Sequence, residues 1–130
     1  MAPNIQEQHA IETYKSLIQI FIEGMKLLIL LNGGAAVALL AYLGNISGKA
    51  SGMLDMRFPM WLFLAGLCLC ALCIVAAYLT QLALFNEAMG RPSKSPLLKH
   101  SFWLLLAILL VLSSVGLFAY GSYEAVLRFR

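Results

Sequence analysis

The chain has 130 residues, of which 62% are hydrophobic and only 12% charged, whereas soluble domains run about 45–50% apolar and about 25% charged. Three uncharged apolar runs, 27–44, 59–84 and 101–123, take up roughly half of it, leaving no room for a separate soluble domain of about 50 residues or more. Such runs read as membrane spans, because about 20 helical residues cross a ~30 Å hydrocarbon core. The expected fold is therefore an all-α integral membrane protein with three transmembrane helices. The net charge of +3 is accounted for by orientation signals, and no nucleic-acid partner is expected.

The first 26 residues form an amphipathic extension, cytoplasmic or interfacial, ahead of the first span. Apolar residues recur at Ile11, Tyr14, Ile18, Phe21, Met25, Leu28, Asn32, Ala35, Leu39 and Tyr42. This is a seven-residue seam broken once, by Asn32. Up to Lys26 the opposite face is polar, with Gln8, Glu12, Lys15, Gln19 and Glu23. A surface-lying helix carries an excess of Lys or Arg on its polar face. Here Glu12–Lys15 and Glu23–Lys26 balance, as suits a solvated stalk that continues straight into the span. Glu7, Glu12 and Glu23, with no small-residue cleavage site, argue against a signal peptide.

Glycines and serines over 45–57 predict a loop outside the lipid. Gly44 to Ser51 resembles a phosphate loop only superficially: it is one residue short and has Ala50 where Ser or Thr must follow the lysine. Pro59 is placed to start the second helix, and Gly90 followed by Pro92 to stop it. That helix overruns the membrane, so Leu82, Phe85 and Met89 are expected to meet Phe21, Ile18 and Tyr14 of the stalk. Ser95 and Pro96 are expected to cap and begin the third helix. Lys15, Lys26, Arg91, Lys94 and Lys99 fall on one side of the membrane, against Lys49, Arg57, Arg128 and Arg130 on the other. That bias puts the amino terminus in the cytoplasm, and a bacterial inner (plasma) membrane is the expected location.

No Asp, Glu, Lys, Arg or His lies inside the three runs, and proton-coupled transporters need ionisable groups in the membrane. Asn32 is the one strongly polar side chain deep in the seam. It is expected to pair with copies of itself, fixing oligomer number, or to line a constriction. Gly33 and Gly34 beside it allow close helix approach or a kink. Gly66, Cys70, Cys73 and Ala77 make a small-residue face on the second span, expected to serve helix contact rather than metal binding. In the third span Ser113, Ser114 and Gly116 either bond back along their own helix or face water. Three cysteines in one span offer no disulfide framework. No nucleophile–base pair, metal signature or nucleotide motif is present, so neither catalytic nor cofactor nor metal sites are expected.

In size, span count and lack of an enzymatic site the chain resembles phage holins and other small membrane-permeabilising effectors. The resemblance is one of architecture and implies a homo-oligomer forming a pore or channel, gated or assembled by its cytoplasmic helices. The alternative expectation is a non-catalytic accessory or scaffold subunit of a larger membrane complex. Its stalk seam, Ile11, Tyr14, Ile18, Phe21 and Met25, then receives a partner protein.

Overall fold

No proline lies between Ile5 and Ile46, and good helix formers fill the segment. The chain accordingly runs as one unbroken helix, α1 (Ile5–Ile46, 42 residues), about 63 Å long at 1.5 Å per residue. It does not break at Gly33 and Gly34. The structure, a computed structural model, describes residues 4–46, 55–90, 95 and 99–128. Most of the expected loop over 45–57 and of the basic link over 91–100 lies outside the described residues.

Helix α2 (Arg57–Ala88) begins two residues before Pro59. The missing N–H of Pro59 falls in the first turn, where backbone donors have no intrahelical acceptor. At the other end Met89 N–H reaches the Phe85 carbonyl at 3.0 Å, and Gly90 N–H reaches the Glu87 carbonyl at 3.1 Å. Gly90 adopts φ +71°, the left-handed turn that glycine closes helices with. Helix α3 (His100–Arg128) starts later than its sequence signals suggest. Ser95 lies in a bend, not at the helix start, and Pro96 is outside the described residues. Among the described residues the fold is all-helical, and each of the three helices is long and apolar enough to cross a membrane.

Helices α2 and α3 form a tight antiparallel hairpin, and α1 leans mainly on α2. Close approach is possible because the facing residues are small: Gly66, Cys70, Cys73 and Ala76 on α2, Ala107, Ser114, Gly121 and Ala125 on α3. A Cβ at Gly121 would stand 3.0 Å from Phe63 Cε1 and 3.2 Å from Leu62 Cβ. Helix α1 buries Met25, Leu28, Asn32, Ala36 and Leu39, which sort into two clusters. One joins Met25 and Leu28 to Cys70, Cys73, Ala76 and Ala107, and the other joins Ala36 and Leu39 to Met56 and Phe63. Large apolar side chains such as Leu64, Ile74, Leu105 and Leu109 point outward.

Both ends of the hairpin are tied by polar contacts. Arg128 Nη1 donates to the Asp55 carbonyl at 2.6 Å and Nη2 reaches Glu124 at 3.5 Å, while its guanidinium lies 5.8 Å from the Phe58 ring centroid. At the opposite end His100 Nδ1 donates to both carboxylate oxygens of Glu87, at 3.0 and 2.9 Å. That hydrogen bond holds the Glu87 carboxyl below its ordinary range. A depressed carboxylate pKa stabilises the fold above the unfolded value, and the contribution fades as pH falls through the folded one. Acidification below the unperturbed Glu value of about 4.3 should therefore loosen this clasp. Amide hydrogen exchange over residues 85–90 and 100–103, corrected for intrinsic rate, should rise between pH 6 and about pH 3.5. A Glu87→Gln variant should show no such pH step; an equal step in both proteins would sink the assignment.

Candidate functional site

The polar groups between the helices converge on Asn32. Gly66 makes room for it: a Cβ at position 66 would lie 2.2 Å from Asn32 Oδ1 and 2.7 Å from its Cγ. Asn32 Nδ2 donates to the Leu28 carbonyl at 3.1 Å and to Ser114 Oγ at 3.2 Å. The Leu28 carbonyl fixes which amide atom is which, since an oxygen in that place would face another acceptor. Ser114 Oγ in turn donates its proton to the Gly66 carbonyl at 3.1 Å. Cys70 Sγ lies 3.3 Å from Ser114 Oγ, and since that hydroxyl gives its proton to Gly66, the thiol is the donor there. Ser114 thus uses its one donor and both acceptor sites, tying α3 to α1 and twice to α2. Asn32 Oδ1 is left buried without a hydrogen-bond partner.

This arrangement changes how the sequence-derived site residues relate. Asn32 and Ser114 are both 0% exposed and face each other between the helices, so the Asn32 amide nitrogen makes both of its hydrogen bonds within the chain. Ser113 points outward, and Gly116 and Gly34 have nothing within 4 Å of an added Cβ. Asn32 and Ser114 are thus buried together while Ser113 is exposed. A Cβ added at Gly33 would stand 3.7 Å from Leu67 Cδ2, an ordinary packing distance. Gly66, Cys70 and Cys73 point into the protomer, and Cys73 Sγ donates to the Ala107 carbonyl at 3.5 Å. Ser122 bonds back to Phe118, but Ser114 crosses to the next helix, because Gly66 brings that carbonyl within reach.

Above this node α1 diverges from the hairpin. Tyr14 hydroxyl donates to Gln81 Oε1, and below that strut lies an apolar cavity of about 500 Å³, lined among others by Ile18, Phe21, Ala77 and Leu104. The expected stalk contact is displaced: Leu82, Phe85 and Met89 remain 41%, 57% and 61% exposed. Helix α2 presents the line Ala77–Gln81 to α1, which turns Leu82, about 100° round from Gln81, away; Phe85 continues that line one turn further, beyond the Tyr14–Gln81 contact. Of the seam residues Ile11, Tyr14, Ile18, Phe21 and Met25, only Met25 is fully buried.

The register between helices has a further consequence. Tyr14 meets Gln81, Met25 packs with Cys73, Ala76 and Ala107, and Asn32 meets Gly66. The turn containing Glu23 and Lys26 therefore lies beside Cys73 and Ala76, well inside the uncharged runs of α2 and α3. Lys26 Nζ and Glu23 Oε1 pair at 2.8 Å with side chains 66% and 59% exposed, turned away from the bundle. The three runs themselves hold no Asp, Glu, Lys, Arg or His, yet in the bundle the turn of Glu23 and Lys26 stands beside two of them. Sequence windows end α1's span at its first charge, whereas packing slides α1 so that its charged turn stands beside its neighbours' apolar cores. Among the described residues, no three His, Cys, Asp or Glu side chains are grouped to hold a metal. No family model, curated protein or solved structure matches the chain.

Proposed function

We propose that the chain is a small self-associating protein that opens a polar path through a bacterial inner membrane, its amino terminus on the cytoplasmic side. The observation that supports this reading is the depth of the Glu23–Lys26 pair beside Cys73 and Ala76. A charged side chain at the bilayer centre costs about 2.5–3.5 kcal/mol on insertion scales. A lone protomer turns this pair toward hydrocarbon, whereas copies sharing a hydrated space between them relieve that cost. The reading includes no catalytic step and no cofactor. Induced expression in bacterial cells should collapse the membrane potential, read with a potential-sensitive dye. A Glu23→Leu/Lys26→Leu double variant should insert equally well and leave the potential intact. Undiminished potential in cells whose membranes hold the unmodified protein would count heavily against a pore.

A second reading, a non-conducting subunit of a larger membrane complex, is favoured by the open apolar cavity under Tyr14 and Gln81. A side chain from a partner helix would fill that space. In that case the tagged chain brings down a stoichiometric partner from solubilised membranes, and the potential stays intact.

A further inference from the structure

We propose that the polar face of α1 is where two copies of this chain meet, side by side in the same transmembrane orientation, with Glu23 of each against Lys26 of the other. The proposal rests on the self-association reading above and names its surface. Gln8, Glu12, Lys15, Gln19, Glu23 and Lys26 recur in steps of four, three, four, four and three, which keeps them on one face of a 3.6-residue helix. All six are exposed, on the side away from Met25, Leu28 and Asn32, which pack on the hairpin.

The order of charges within this face points to a second copy. At about 100° per residue, Glu12 and Glu23 fall within about 20° of each other, and so do Lys15 and Lys26. The acidic line and the basic line are about 60° apart, with Gln19 between them. A two-fold axis parallel to the helices turns the acidic edge of one copy toward the basic edge of the other, at both pairs at once. Gln19 then meets its own counterpart, and an amide both donates and accepts. The Glu23–Lys26 contact within each chain at 2.8 Å persists, because an ammonium has three donors. An anionic lipid headgroup satisfies the lysines and repels the glutamates. Depth makes the same choice: a copy inserted in the same orientation carries the matching charges at the same level of the bilayer.

Site-directed cross-linking in native membranes tests this, with the full chain carrying Cys68→Ala to remove the exposed thiol; Cys70 and Cys73 are buried. Oxidation of the Gln19→Cys variant should give a disulfide dimer, and Leu109→Cys, exposed on α3, should not. Glu23→Lys should lower the Gln19→Cys dimer yield about tenfold or more, since facing like charges oppose association. Adding Lys26→Glu should restore it, because the two edges exchange sign and stay complementary. Dimer through Leu109→Cys but not Gln19→Cys overturns the proposed surface while self-association stands. A Gln19→Cys adduct whose mass is not twice that of the chain overturns the second copy in favour of a different partner. Monomer throughout, with monomer also in native mass spectrometry, overturns both the surface and the self-association. Cross-linked dimer in cells that keep their membrane potential supports the surface and removes the pore.

Discussion

Replacing Gly66 by alanine should destabilise the bundle by about 2–3 kcal/mol, a large effect for one methyl group and within the range of forced overpacking. The added Cβ would stand 2.2 Å from Asn32 Oδ1, 2.7 Å from Cγ and 3.1 Å from Nδ2. Such overlap is relieved only if Asn32 or the α1 backbone moves. Asn32 cannot swing freely, being 0% exposed and held by the Leu28 carbonyl and Ser114. The α1 helix must therefore shift off the hairpin. Reversible unfolding in mixed detergent micelles would measure the loss, and an unchanged midpoint would mean that the close approach of α1 and α2 at Gly66 is not what holds them. A double-mutant cycle sharpens the result. With Asn32→Ala already in place the clash disappears, so Gly66→Ala should cost at least about 1 kcal/mol less on that background.

Ser114 carries the second large effect. Ser114→Ala removes the donor to the Gly66 carbonyl and the acceptor for Asn32 Nδ2 and the Cys70 thiol. Interhelical hydrogen bonds in membranes average about 0.6 kcal/mol, so losing three should cost about 1–2 kcal/mol. Ser114→Val also adds bulk at a fully buried position, and overpacking of about 1–3 kcal/mol brings the expected total to about 2–5 kcal/mol. Measuring the two variants side by side separates hydrogen bonding from packing. If the alanine variant were as stable as the parent while the valine variant was not, the node would be a packing device whose hydrogen bonds merely avoid an unpaired group. Neither substitution touches the polar face of α1. Any change in dimer yield at Gln19→Cys would then report how firmly the hairpin orients that face.

The clamp at Asn32 and the charged face above it have opposite physical roles. The clamp is closed: its polar atoms are used within one chain, apart from Oδ1, which faces the Gly66 backbone. The charged face is open: Glu23 and Lys26 pair only with each other along α1 and are turned away from the other two helices. This contrast is why the proposed polar path runs along Glu23 and Lys26 rather than Asn32 and the serines.

Helix number, length and apolar character follow from the sequence alone, because they depend on local quantities. Uncharged runs of sufficient length can only be helices where no water satisfies the backbone, and Gly90 with Pro92 after it marks a helix end that needs no tertiary contact. Met25, Leu28, Asn32 and Leu39 of the seven-residue seam are buried, whereas Ala36 is buried in place of Ala35 and the seam's Ile11, Tyr14 and Ile18 stay exposed. The tertiary structure alone decided which polar groups meet. Asn32, Gly66, Cys70 and Ser114 come from three helices, and their convergence depends on helix rotation and register, which periodicity leaves undetermined. Register also set the depth of Glu23 and Lys26. A hydropathy window sees each helix alone and stops at the first charge, but small residues on α2 and α3 pull α1 into a contact that carries its charged turn past the edge of its neighbours' apolar segments.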